Sequence, residues 1–416
     1  LSAAGESPPA SPGSLRALSL LTFCVADVQT GFGPFIAIYL TRHQWTDLAI
    51  GSVLSVGTFT AMASQLPAGA LVDWMVNKRL AALLALLALM ASASLFIVMP
   101  TAAGVGLAEI LHGFASCVLS PSIAAITLAL VGSAALGERF GRNSRFSSIG
   151  AAIAAAVMGV CGYYLAPASV FYLTALLCIP AMLALSRIRP AGTRSARIAA
   201  AAGPKFWPGL VALALDKRLI AFLVCIMLFQ VADSAMLPFV GTEIAGRSGS
   251  IANIVVAACL VGPQMIVASM APWVGRTAQS RGRRFILLLG FAAEPMRALL
   301  FAVTASPVPV VLIQGLNGIS AAAIGVTLPL IASDIARERG HFNLTIGAIG
   351  LAVGLGATIS NAMAGAAASV AGPKFAFLAL AAAGVLGTAM VWLIMPETGP
   401  AKRVAAYMPA VRKAAE

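Results

Sequence analysis

From residue 80 to residue 99 the chain contains no charged side chain, and this stretch is one of a series. A single apolar run can be the buried helix of a soluble core. A long series of them cannot, because each bilayer crossing takes about 20 apolar residues and each run supplies them. Runs of that length lie at about 16–40, 48–72, 80–99, 104–131, 146–165, 169–186, 218–240, 251–272, 285–304, 307–333, 344–370 and 374–394, which predicts twelve membrane-spanning helices. Composition points the same way. Of 416 residues, 60% are hydrophobic and 10% are charged. A soluble domain carries about 25% charged residues. There is too little polar surface here to cover a water-soluble fold.

The 27 basic residues exceed the 14 acidic ones, for a net charge of +13. Nucleic acid is not the partner this implies, because the basic residues fall in short clusters between apolar runs. One set of connecting loops holds Lys78 and Arg79; Arg139, Arg142 and Arg145; Arg276, Arg281, Arg283 and Arg284; Arg337 and Arg339. With the central segment from Arg187 to Arg218 and the two tails, that set has 23 of the 27, against Arg42, Arg247 and Lys374 on the opposite loops. Basic loops stay in the cytoplasm. Both termini and the central segment are therefore expected there, in a multi-pass protein of a bacterial cytoplasmic (inner) membrane. The six cysteines all lie in apolar runs without a CxxC pair, as small buried hydrophobes rather than disulfides or metal ligands.

Residues 1–15, rich in Pro, Ser, Ala and Gly, read as a disordered cytoplasmic tail with no cleavable signal peptide. Residues 16–186 then form one six-helix bundle and 218–394 a second, joined by a cytoplasmic linker at 187–217. In that linker Phe206-Trp207 is suited to the membrane interface. Residues 395–416 form the second tail.

The two bundles echo each other. "FCVAD", ending at Asp27, returns as "FQVAD", ending at Asp233, 206 residues later. "LAEILHGFAS", with Glu109, His112 and Gly113, returns as "LIQGLNGISA", with Gln314, Asn317 and Gly318, at an offset of 205. The segments that follow, "GERFGRNSRFSSIGAA" and "ARERGHFNLTIGAIG", echo as well. Duplicated halves are a common way of building a transporter, with the substrate site near the midplane.

After the second span the chain reads "GALVDWMVNKR", with Gly69, Asp73, Lys78 and Arg79. This resembles the G-x-L-A-D-R-x-G-R-R loop of the major facilitator superfamily. Trp74 and Asn77 depart from the pattern. In the second half "APWVGRTAQSRGRR" has Gly275 near the aspartate's place, so a latch is expected in the first half only. The resemblance implies an all-α membrane protein of two pseudo-symmetric six-helix bundles, a central cavity and alternating access. It also implies a cytoplasmic gate at Gly69, Asp73, Lys78, Arg79, Arg139 and Arg142. There Asp73 accepts from a facing helix N-terminus or pairs with a loop arginine. Where many proton-driven members carry the Arg of R-x-x-x-G, this chain has Glu109, four before Gly113. The fifth span has the small-residue spacing of exporters without their Gly-Pro pair.

An intramembrane charge costs about 2.5–3.5 kcal/mol on insertion scales, so each calls for a partner or a function. Asp27, Gln29, Glu109, His112, Gln230, Asp233, Gln314 and Asn317 are the candidates for proton coupling and solute contact. For the acids the alternative is interhelical hydrogen bonding that fixes packing. Glu294 and Arg297, i and i+3, read as an intrahelical ion pair with a structural role. The glycines of the eleventh span (Gly347, Gly350, Gly354, Gly356) are expected to allow close packing. Asn343 heads a glycosylation sequon on the wrong side of the membrane for use.

No HExxH, Gly-x-Ser-x-Gly or Walker motif occurs, so neither an enzyme nor an ATP-driven pump is expected. The reading is a monomeric secondary active transporter of a small organic solute, proton-coupled, with export (antiport) favoured. It works in a lipid bilayer without cofactor, metal or nucleic acid, driven by a proton or other ion gradient. The alternatives are a proton-coupled importer (symporter) of a metabolite or metal chelate and, behind it, a divalent-metal exporter.

Overall fold

The structure, a computed structural model, describes residues 11–30, 36, 39–40, 43–131, 135–164, 168–189, 206–240, 252–304, 306–339 and 341–398. Among them are thirteen helices and no strand. They are α1 (Pro12–Thr30), α2 (Asp47–Trp74), α3 (Lys78–Val98), α4 (Ala102–Val131), α5 (Leu136–Tyr164), α6 (Ser169–Arg187), α7 (Phe206–Ala214), α8 (Lys217–Asp233), α9 (Ala252–Ser280), α10 (Arg283–Val303), α11 (Pro307–Arg339), α12 (Phe342–Ala371) and α13 (Pro373–Leu393). Each expected span overlaps one of these helices, the first of them as far as Thr30. The short α7 falls in the central segment and exposes Trp207.

Nine stretches among the described residues are long and apolar enough to cross a bilayer. α1 contributes a shorter apolar helix, Pro12–Ala26. α5 opens on Glu138, Arg139, Arg142 and Arg145 before its apolar run begins. Many outward side chains are large and apolar, among them Leu84, Leu176, Leu183, Val308 and Leu312. Lipid tolerates that surface and water does not.

Polar residues start the helices. Asn77 accepts the N–H groups of Arg79 and Leu80 ahead of α3, and Asp216 those of Arg218 and Leu219 ahead of α8. The expected tail extends too far. Ser11 accepts the N–H of Ser14 and Pro12 supplies a pre-set first helical turn, so α1 begins inside residues 1–15.

The chain divides into two compact units. The first comprises Leu1–Leu136, Phe146–Leu210 and His341–Ala348; the second comprises Gly137–Arg145, Val211–Gly340 and Ile349–Glu416. Inside the first, α2 packs on α4, α4 on α3, α3 on α6 and α6 on α1. Inside the second, α9 packs on α11, α11 on α10, α10 on α13 and α13 on α8. The two patterns are the same pattern seven helices apart. In the first unit an aromatic knot closes one end of the core. Phe96 stacks on Phe171 at 4.6 Å, Tyr39 meets Phe171 edge-on at 4.9 Å, and the Tyr39 hydroxyl donates to the Phe96 carbonyl at 2.7 Å.

Repeat-related glycines sit at repeat-related crossings. A methyl group on Gly113 of α4 would lie 3.0 Å from the Gly57 carbonyl of α2. One on Gly318 of α11 would lie 2.8 Å from the Pro263 carbonyl and 2.6 Å from Ile266 Cβ of α9. Gly318→Ala is therefore expected to push α9 and α11 apart and cost about 1–3 kcal/mol, the usual range for overpacking. Denaturant unfolding in detergent checks this; an unshifted midpoint would show that the crossing has slack.

Candidate functional site

The charged loop after α2 ends a helix and begins another. Half-buried Asp73, in the last turn of α2, accepts three hydrogen bonds at the start of α12. They come from the backbone N–H of Asn343 (3.1 Å), the N–H of Leu344 (2.9 Å) and the Asn343 amide Nδ2 (2.6 Å). A carboxylate at a helix N-terminus meets unsatisfied N–H groups and the positive end of the helix dipole. Close approach makes these bonds possible. A side chain on Gly69 would run into the Asn343 carbonyl, and one on Gly347 into the Gln65 carbonyl. Of the two partners open to Asp73 from sequence, the structure uses the helix N-terminus. Asn343, the sequon asparagine, is buried in this contact. Lys78 turns back to the carbonyls of Val72 and Asp73, and Arg79 donates to the Ser186 carbonyl at 3.0 Å. Both cations thus cap C-terminal carbonyls.

The second unit repeats the glycine contacts and carbonyl caps of this arrangement, at the 206-residue offset of the aspartates. Gly275 meets Gly137 as Gly69 meets Asn343, and Gly141 meets Ala271 as Gly347 meets Gln65. Arg283 Nη1 donates to the Ala278 carbonyl (2.5 Å) where Lys78 uses Val72, and Arg284 donates to the Trp392 carbonyl where Arg79 uses Ser186. The residue in the aspartate's place is therefore Gln279, not Gly275, which corresponds to Gly69. The Gln279 side chain faces the first turn of α5, with Oε1 2.9 Å from where a Gly137 side chain would start. Arg283 also pairs with Asp334 at 3.1 Å. Glu397 accepts the N–H groups of Arg283 (2.8 Å) and Arg284 (3.1 Å), capping α10. Arg139 and Arg142 belong to this second unit, on the first turns of α5, whereas Asp73 belongs to the first. Burial, with the neighbouring Arg142 adding to it, pushes the Arg139 guanidinium down to about 10, so it stays cationic at neutral pH.

Deeper in each unit lie the intramembrane acids. Glu109 of α4 is 6% exposed, its Oε2 presses against Gly57 of α2, and its Oε1 has no hydrogen-bond partner among the described residues. His112 lies one turn on, on the same helix. At the repeat-related place Gln314 of α11 is equally buried, with Oε1 also unpartnered, and Asn317 is half-buried. In the second unit α8 stops at Asp233 and the chain is helical again from Met236 to Val240. Arg297 of α10 fills the break. Its Nη2 reaches Asp233 Oδ1 (2.5 Å) and Glu294 Oε2 (2.9 Å), and its Nε donates to Met236 Sδ (3.1 Å). The self-contained Glu294–Arg297 pair expected from spacing is thus part of a three-residue ionic cluster with Asp233.

The sequence model of the Major Facilitator Superfamily matches residues 18–293. The chain belongs to the major facilitator superfamily. This facilitator is 36% identical over 399 residues to the uncharacterized MFS-type transporters MT2531 and Rv2456c of Mycobacterium tuberculosis, covering 93% of this chain and 94% of each relative. Among solved structures, the proton:xylose symporter XylE bound to 6-bromo-6-deoxy-D-glucose superposes with a TM-score of 0.67 at 16% identity, over 92% of this chain and 95% of that one. The human organic anion transporter MFSD10 (TETRAN) gives a TM-score of 0.67 at 15% identity, over 91% and 98%. At these identities the likeness to both is one of fold. The facilitator is an all-α, multi-pass membrane transporter of that fold.

The facilitator's remaining candidates divide as follows. The side chains of Asp27 and Gln29 lie outside those described, although α1 runs through both positions. Gln230 of α8 lies against α12, since a methyl group on Gly356 would sit 2.8 Å from Gln230 Cβ. Gln279, Glu397 and the ionic link from Arg297 to Asp233 were not evident from local sequence. The 206-residue register, carried past the one-residue deletion before Arg283, would have found Gln279.

Proposed function

We propose that this facilitator is a proton-coupled secondary transporter of a small organic solute, working by alternating access with export favoured. The observation that carries the reading is Glu109. A carboxylic group is held inside an apolar helix bundle, pressed on Gly57, with one oxygen unpartnered among the described residues. A group so placed gains a partner when it takes a proton, and intramembrane acids of this kind mark ion pathways. Asp27, at the repeat-related place to Asp233, is the second coupling candidate. The solute is neutral or cationic, because Arg297, the in-span cation, already serves two carboxylates. The basic loops support cytoplasmic termini in a bacterial inner-membrane protein. The bonds of Asp73 to α12 are made in one state of the cycle and broken in another.

The test is Glu109→Gln, reconstituted in proteoliposomes with an imposed pH gradient. Solute binding at equilibrium is expected to stay within a few-fold of the parent, while gradient-driven accumulation falls to the level of facilitated exchange. Accumulation undiminished by the substitution would remove Glu109 from the coupling path.

A further inference from the structure

We propose that Asp233, Arg297 and Glu294 form a proton-binding site in the second unit, which holds one proton between its two carboxyl groups. Its use in transport rests on the coupling reading above; its existence does not.

The charge count is the starting point. Arg297 and Glu294 balance each other, both 1% exposed and 2.9 Å apart. A pair of that kind is a complete structural unit. Asp233 adds a second negative group to the same guanidinium nitrogen, at 2.5 Å. Two carboxylates on one cation leave the cluster one negative charge in excess, inside a helix bundle. An uncompensated ion in such a place is neutralised by a proton rather than left charged.

Among the described residues the helices around the cluster offer no other counter-charge. On α8 the charged residues besides Asp233 are Lys217 and Arg218, at the opposite end of the helix. On α10 the others are Arg283 and Arg284, at its start. α11 presents Ser320, whose hydroxyl donates to the Gly290 carbonyl at 2.9 Å, and its charged residues begin only at Asp334. α13 presents Gly384 against Pro295 and carries charge only at Lys374, in its first turn. α9 carries Arg276 alone, in its last turns. The proton is what remains to balance the cluster.

Two details give the site direction. Glu294 Oε1 is a buried acceptor without a hydrogen-bond partner among the described residues, so the acid side of the cluster is under-bonded. A hydrogen on a carboxyl group supplies a donor there. Asp233 alone is open, with its side chain 26% exposed, and it lies where α8 breaks. Protons enter and leave through Asp233.

The experiment is difference infrared spectroscopy of the full chain in lipid nanodiscs, read at the C=O stretch of protonated carboxyl groups. It uses the Glu109→Gln, Asp27→Asn background, so that neither of the other two acids named as coupling candidates contributes. At neutral pH that protein is expected to show one protonated carboxyl band that disappears on alkaline titration. Adding Asp233→Asn, or separately Glu294→Gln, is expected to abolish the band. Each change leaves one acid and one arginine, a neutral pair that no longer needs the proton. A band lost with Glu294→Gln but kept with Asp233→Asn would mean two independent acids and overturn the shared site. Absence of any band in the Glu109→Gln, Asp27→Asn protein would overturn it without requiring either cluster variant to fold. Transport assays separate the two readings. A band that behaves as expected in a protein whose transport ignores pH supports the site and removes only the coupling.

Discussion

Arg297→Met is expected to be the most destabilising single substitution in the second unit, by about 3–5 kcal/mol, the range for removing one partner from a buried ionic set. The guanidinium is 1% exposed and touches Asp233, Glu294 and Met236. Methionine fills much of the same volume, so a cavity is not the main loss. What is lost is the cation between two acids and the group that bridges the break in α8. Denaturant unfolding in detergent measures the effect. Neutralising the acids as well, in Arg297→Met with Asp233→Asn and Glu294→Gln, is expected to recover much of it, because buried ion sets are often replaceable as a whole. A single variant as stable as the parent would show that the acids find other partners.

Asp73→Ala is expected to slow transport at least tenfold while solute affinity at equilibrium stays within a few-fold. Alanine removes three bonds to the start of α12, two of them to backbone N–H groups at the helix end. A hydrogen bond to a charged group contributes about 1.5–3 kcal/mol. Each 1.4 kcal/mol shifts an equilibrium about tenfold. Losing one bond that water does not replace is enough to displace the balance between conformations. The control lies in the second unit, where Gln279→Ala removes a neutral group and is expected to have a much smaller effect. Transport kinetics unchanged by Asp73→Ala would count against a latch.

The helices were legible in the sequence because bilayer-length apolar runs and basic loops are one-dimensional signals. The same holds for Asp73, whose spacing from Gly69 and Lys78 lies within one helix end. The internal repeat was legible as well, and the contacts at Gly113 and Gly318 show it in three dimensions. The links across long sequence distances were not. Asp233 and Arg297 are 64 residues apart, and nothing near either one names the other. The Glu294–Arg297 spacing offered a sufficient local explanation, which hid the third member. Gln279 was obscured for a different reason: an uncharged amide among polar neighbours does not stand out until its carbonyl-capping neighbours are seen to match those of Asp73.

Glu397 bears on how the protein is handled. Its carboxylate closes the start of α10 from a point 114 residues further along the chain. A shortened version that stops at Leu393 or Ile394 would keep every helix and still leave the first turn of α10 uncapped, beside Arg283 and Asp334. Affinity tags and fluorescent fusions are better joined beyond Thr398, where the cap is preserved.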